Sequence, residues 1–333
     1  MRHAIIAALA ATTAVPALAE VNIYSYRQPE LIQPILDGFT AETGIKTNVA
    51  YVDKGLVERL QAEGTRSPAD IILTTDVSRL EEAKAAGVTQ ALDSETVNES
   101  IPARLRDGEG QWVGVTTRGR IVYASKERVA EGEITTYEDL ADPKWKGRIC
   151  TRSGTHPYTL GLVSALIEHN GVEQTRSWLE GVKANLAKSP EGNDRAQVKS
   201  IWAGECDISL GNTYYMGAML SDPEQAEWAN SVRVTFPTFA DGSGTHVNVS
   251  GVALTANAPH REDAVAFVEY LASEQAQEIY AAEVNEYPAD PDVSPSDLVA
   301  SWGEITPDET DLGAIASHRA EALRLVEQVN FDG

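Results

Sequence analysis

From residue 21 onward the chain alternates short apolar runs with amphipathic ones, and that alternation restricts the fold more than any other feature of the sequence. Residues 21–25, 46–52 and 69–74 read as strands. Between them lie a helix over 30–43, with Leu31, Ile35, Leu36 and Phe39 on one face, and a helix through Val57, Leu60 and Glu63. A third helix follows over 77–86, and Gly44 stops the first. A βαβαβ order predicts a parallel sheet covered on both faces. Ligands bind such sheets at the carboxyl ends of the strands, which points to the turns Tyr26-Arg27-Gln28 and Thr75-Asp76. The pattern restarts near Thr116, with strands at 121–123, before Cys150, around Cys206 and over 247–254. Helices are predicted over 158–169, 172–185, 194–202 with Asn193 as cap, 264–271, 274–283 and 313–327. At 333 residues two lobes are favoured over one core. The expected fold is therefore α/β with two lobes, two parallel or mixed sheets flanked by helices, and a hinge of two crossing segments.

The N-terminus reads as a secretory signal. Arg2 and His3 precede an apolar run over 4–17, too short to span a bilayer, and Ala17-Leu18-Ala19 is a small-x-small cleavage site. Residues 1–19 are thus expected to be removed, and the mature protein to be periplasmic. The net charge of −23, from 27 basic and 50 acidic residues, argues against nucleic acid and anionic membrane surfaces as partners. The two cysteines, Cys150 and Cys206, invite a disulfide in an exported chain, two buried thiols being the alternative.

The candidate chemistry lies in Gly211-Asn212-Thr213-Tyr214-Tyr215-Met216-Gly217. Neighbouring strand residues point to opposite faces, so Tyr214 and Tyr215 can converge only where the backbone leaves extended geometry. Gly211 and Gly217 are read as permitting that departure. Tyr158 lies in a similar polar stretch after Arg152-Ser153-Gly154. Packing is the ordinary role of paired tyrosines. A phenolate is also a hard oxygen donor suited to hard cations, and three would neutralise a trivalent ion. His156 and His246 are weaker candidates. Tyr24, Tyr51, Tyr123, Tyr137, Tyr270, Tyr280 and Tyr287 read as packing.

These pieces together resemble the periplasmic ferric-ion binding proteins, the solute receptors of bacterial iron ABC importers. The matching segments are Val21-Asn22-Ile23-Tyr24-Ser25-Tyr26-Arg27-Gln28, Thr43-Gly44-Ile45-Lys46, Ser67-Pro68-Ala69-Asp70 and Thr116-Thr117-Arg118-Gly119-Arg120. Arg152-Ser153-Gly154, Asn193-Asp194-Arg195, Gly211-Asn212-Thr213-Tyr214-Tyr215 and Asn248-Val249-Ser250-Gly251 complete the set, in order along nearly the whole mature chain. The Asn-x-Tyr-Tyr element is the specific one. The resemblance implies a type II two-lobed fold, with lobes over 20–117 plus 245–290 and over 118–244 plus 291–333. It implies Fe(III) ligands at Tyr158, Tyr214 and Tyr215, and a synergistic anion such as carbonate contacted by Gln28 and Arg118. Asn212 joins the anion-binding set through the same motif. Arg27-Gln28-Pro29 departs from relatives that carry a His-Tyr or His-Glu pair there, so the resemblance implies a three-tyrosine site closed by an anion. Tyr26, in the same turn, is a candidate fourth ligand.

Arg118 suits the anion, because a guanidinium stays charged and forks two donors onto a carboxylate-like group. Ser153, Gly154 and Asn193 precede helices, whose free N–H groups favour anions, with simple capping the other role of Asn193. The implied partner is an inner-membrane ABC permease, and the expected state is a monomer. Two other functions remain open from sequence. One is a receptor of the same fold for an organic anion, a polyamine or a sulfonate. The other is an exported hydrolase, although the chain carries no Gly-x-Ser-x-Gly elbow, no His-Glu-x-x-His and no phosphate-binding loop.

Overall fold

The computed structural model describes residues 19–27, 32–52 and 54–333. Gln28 and, apart from Ala19, the expected signal lie outside these residues. Ten strands form in chain order: β1 (Glu20–Ser25), β2 (Lys46–Tyr51), β3 (Ile71–Thr74), β4 (Thr89–Gln90), β5 (Val113–Ser125), β6 (Ile149–Cys150), β7 (Ile208–Asn212), β8 (Val232–Thr235), β9 (Val247–Thr255) and β10 (Tyr287–Pro288). They make one curled sheet on the path β2-β1-β3-β9-β5-β7-β6, with β4 on β9 and both β8 and β10 on β5. β1 pairs in parallel with β2 and β3, as the βαβαβ pattern predicts. β9 then runs antiparallel between β3 and β5, making the sheet mixed.

β5 decides the architecture. It pairs with β9 as far as Gly119 and with β7 from Arg120 onward, so one strand passes from the sheet of one lobe into the sheet of the other. Residues 236–246, between β8 and β9, make the second crossing. The expected lobe boundary at 117/118 lies two residues before this handover. The sequence pattern had suggested only a short strand at 121–123. Buried arginines at 118 and 120 and a glycine between them hide the rest of a thirteen-residue strand from an apolar pattern.

Each lobe buries its own apolar faces. Val21, Ile23, Ile71 and Leu73 of the first sheet are buried, as are Ile35, Leu36 and Phe39 of helix Gln33–Thr43 and Leu56, Val57 and Leu60 of helix Leu56–Glu63. Phe39 meets Phe267 edge-on at 5.0 Å between ring centroids. In the second lobe, helix Pro157–Asn170 is buried along most of its length. The C-terminal helices Leu312–Ser317 and Arg319–Gln328 pack on it, in place of the single helix expected over 313–327. Among the described residues no helix is long and apolar enough to cross a membrane.

Cys150 and Cys206 form a disulfide, with Cα atoms 5.8 Å apart and a sequence separation of 56. It lies in a small second core with Ile121, Tyr123, Val198, Ile201, Met216 and Met219. Closing a loop of that length restricts the unfolded chain by about 4 kcal/mol in the chain-entropy treatment. Replacing both cysteines by alanine is expected to lower unfolding free energy by about 2–4 kcal/mol, read as a lower urea midpoint.

Candidate metal centre

β7 ends at Asn212, and Tyr214–Leu220 forms a short helix. Consecutive helical residues are about 100° apart, rather than on opposite faces as in a strand. The Tyr214 and Tyr215 rings therefore lie side by side, 4.3 Å between centroids. Met216 and Met219, one turn apart, are buried in the disulfide-centred core and fix the roll of the helix. The two tyrosines are left half-buried.

The flanking glycines act differently from the sequence expectation. Neither has a positive φ. A Cβ on Gly211 would lie 2.1 Å from the Tyr123 ring, and one on Gly217 would lie 2.5 Å from the Asn285 side chain. They allow close approach rather than an unusual backbone. The strand is left instead because Thr213 already adopts helical angles.

Tyr158 sits in the first turn of helix Pro157–Asn170. His156 caps that helix, its Nδ1 accepting from the Tyr158 N–H at 3.1 Å. Burial, with several arginines nearby, pushes the His156 imidazole down to about 3, so it is neutral. The Tyr158 and Tyr214 hydroxyls meet at 3.1 Å. Burial pushes the Tyr214 phenol well above its ordinary value, and the Tyr158 and Tyr215 phenols add to the shift. Burial likewise pushes Tyr215 up to about 12, with Tyr158 the next contributor. The second lobe thus brings the three tyrosines into one neighbourhood, where Tyr158 opposes ionisation of both Tyr214 and Tyr215. A bound cation inverts that preference, because it stabilises every phenolate at once.

Arginines surround the trio. The guanidiniums of Arg152 and Arg118 stand 5.1 and 6.0 Å from the Tyr158 ring centroid, and that of Arg195 stands 5.6 Å from the Tyr215 ring. Asp194 is fully buried and accepts from Arg120 at 3.0 Å and from Arg152. Arg27 pairs with buried Glu286 at 2.9 Å. Arg118 is 2% exposed and has no ion-pair partner among the described residues; its Nη1 donates to Ser250 Oγ at 3.4 Å. Of the four buried arginines, Arg27, Arg120 and Arg152 pair with two carboxylates, Glu286 and Asp194, and Arg118 pairs with none among the described residues; Asp76, also buried, accepts from Asn248 at 3.2 Å. Arg118 Nη2, Arg120 Nη2 and Arg152 Nε are buried without hydrogen-bond partners among the described residues. Arg118, Arg120, Tyr158, Asn212, His246 and Asn248 line a cavity of 10 Å³, the space of about one water.

Other expected site residues are placed elsewhere. Ser153 Oγ and the Gly154 N–H donate to the Asp332 carboxylate at 2.5 and 2.6 Å, so the anion expected at this loop is met by the chain itself. Gly154 is confined by Val326 and Phe331, which a Cβ would strike. Asn193 caps helix Asp194–Trp202 by accepting from the Ala196 N–H. Asn212 accepts from Arg120 Nη1 at 3.1 Å. The Tyr26 hydroxyl accepts from the Leu56 N–H at 3.3 Å and its ring carries Arg79 at 3.9 Å; none of its described contacts joins the trio. Arg120 and Arg152 lie in the motifs above but carry no sign of burial in the sequence. A buried arginine is recognisable only once its surroundings are known.

A family model described as bacterial extracellular solute-binding protein matches residues 66–302, most of the chain. The chain belongs to that family. Within it, iron uptake protein A1 of Synechocystis sp. is 42% identical over 316 residues, 94% of this chain and 87% of the relative. The apo ferric ion-binding protein A of Pasteurella haemolytica has the same fold, with a TM-score of 0.89 and 47% identity over 94% of this chain and 98% of that one. A Trichodesmium protein solved with iron and citrate ligands matches with a TM-score of 0.89 and 40% identity, over 94% of this chain and all of that one. The two-lobed periplasmic binding fold expected from the sequence is that of these structures.

Gly211→Ala is expected to cost about 1–3 kcal/mol by forcing the Tyr123 ring aside. Thermal unfolding of the variant checks this, with a lower midpoint as the expected result.

Proposed function

We propose that the chain is a periplasmic receptor for Fe(III), held by the phenolates of Tyr158, Tyr214 and Tyr215 with a carbonate-like anion, and that it delivers the ion to an ABC permease. The observation that carries this reading is the 3.1 Å meeting of two phenol oxygens beside arginines that outnumber their carboxylates. A site for a bare cation surrounds it with acids. Here the trio supplies three negative charges only when a strong cation displaces the phenol protons to solvent, and the unpaired Arg118 calls for an anion as well. Arg118 is the proposed anion contact, with Gln28 as the second. The names of the relatives, an iron uptake protein and a ferric ion-binding protein, support the same reading. The iron and citrate in the Trichodesmium structure support an anion beside the metal.

The cavity of 10 Å³ is lined by Arg118 and Tyr158 and not by Tyr214 or Tyr215, so it is only one part of the proposed site. Closure of the lobes about β5 and the 236–246 crossing is the movement that would enclose the ion with its anion. The buried arginines disfavour a polyamine, whose positive charge they repel. An organic-anion receptor is the remaining competitor, because the same arginines would suit an anion alone.

Titration of the purified protein with ferric citrate in bicarbonate buffer separates the two. The expected result is an orange to red colour from phenolate bound to iron, saturating at one ion per chain; a colourless protein favours the organic anion. Tyr214→Phe and Tyr215→Phe should each weaken ferric binding by at least about tenfold while the protein stays folded. Each phenol must lose its proton to bind, and burial makes that proton harder to remove in the empty protein. Ferric affinity should accordingly fall with decreasing pH, by up to about tenfold per pH unit for each proton displaced. A competition titration against citrate between pH 8 and 5 measures the slope.

A further inference from the structure

Glu286 is 1% exposed and stands just before β10, which pairs antiparallel with β5 so that Tyr287 lies opposite Thr117. The next position along that register sets Glu286 beside Arg118. Ser250, on the other neighbour of β5, lies opposite Thr116. Glu286 Oε1 and Oε2 accept from Arg27 at 2.9 and 3.2 Å, and Oε2 also accepts from Ser250 Oγ at 2.9 Å and from Thr116. Burial works against the charge on Glu286, but Arg27 and Arg118 outweigh it and hold the carboxyl below its ordinary value.

An ionised carboxylate can only accept. Ser250 must therefore point its single O–H at Glu286, which leaves both its lone pairs for donors. Arg27 Nη1 takes one at 2.9 Å and Arg118 Nη1 the other at 3.4 Å. The hydroxyl is saturated, and its polarity is fixed by the acid behind it. Arg118 is thus held by one edge, while its Nη2 stays unpartnered among the described residues.

We propose that Ser250 and Glu286 are positioning residues for the anion: together they hold Arg118 by Nη1, which leaves its second nitrogen without a partner among the described residues while the guanidinium stands 6.0 Å from the Tyr158 ring, and they tie it to Arg27. This rests on the ferric reading above and deepens it. Glutamine at 286 can turn an N–H toward Ser250, reverse the hydroxyl and remove a lone pair from Arg118. Alanine at 250 removes the intermediary with little change of volume.

The test compares wild type, Ser250→Ala, Glu286→Gln, Arg118→Lys and the double variant S250A/R118K, each as the whole mature protein. Ferric affinity is measured against citrate competition in bicarbonate buffer, together with the position of the phenolate-to-iron absorption band. Ser250→Ala and Glu286→Gln are expected to lower affinity about tenfold, the range for losing a hydrogen bond to a charged group, and to move the band as the anion shifts. In the R118K background, Ser250→Ala should cost less than about twofold, because its effect runs through Arg118. Should Glu286→Gln not fold, Ser250→Ala and the double variant carry the test. An unchanged affinity and band in Ser250→Ala, or a full tenfold loss repeated in the R118K background, overturns the positioning role. A wild type that takes up no ferric ion overturns the ferric reading itself and this inference with it, whereas a wild type that binds iron beside an indifferent S250A overturns only the inference.

Discussion

Arg118 and Arg120 are carried into the interior at the point where β5 leaves one sheet for the other, and their charge has to be answered there. A buried charge without a partner costs several kcal/mol, more than any single apolar contact in the chain can offset. Asp194 answers Arg120 and Arg152, and Glu286 answers Arg27. Arg118 has no ion-pair partner among the described residues, and its Nη1 donates to Ser250 instead. The ion pairs therefore leave one guanidinium unanswered at this point, inside a protein whose net charge is −23. The two facts do not conflict. Surface charges act through water and fade over about 8–10 Å at physiological salt, while buried ones are screened far less. What the cleft accepts is decided by the few buried groups.

The tyrosines meet that positive setting from one side because three separate pieces of packing converge. Met216 and Met219 seat the short helix on the disulfide-centred core, Gly211 lets the Tyr123 ring lie flat beneath it, and the His156 cap starts the helix that carries Tyr158. None of these groups is one of the three tyrosines. Together they reduce the freedom of three phenols to one small region, as the proposed ferric site requires.

Much of this was legible in the sequence, for identifiable reasons. Strands β1 to β3 and the helices between them announce themselves through apolar periodicity, and the cysteine count in an exported chain pointed to the bond between Cys150 and Cys206. The tyrosine pair was visible as a departure from strand geometry. Its helix was not, because Gly211 and Gly217 suggested a flexible turn where the structure uses them for close approach. β5 was underestimated, since Arg118-Gly119-Arg120 reads as a polar loop until the surrounding carboxylate, serine and tyrosines are known. Ser153 and Gly154 looked like donors for a ligand, yet Asp332, at the far end of the chain, occupies them. Contacts across such a separation leave no local pattern to read.

The sequence by itself determined the order of strands and helices, the α/β class and the residue types able to serve as hard oxygen donors, because these follow from periodicity and side-chain chemistry within a few neighbouring positions. Only the tertiary structure decided that β5 would join the two sheets, that Tyr158 would reach Tyr214, and that Ser250 and Glu286 would stand behind Arg118. Those relations depend on strand register and on the balance of buried charge, and both are fixed only when distant segments pack together.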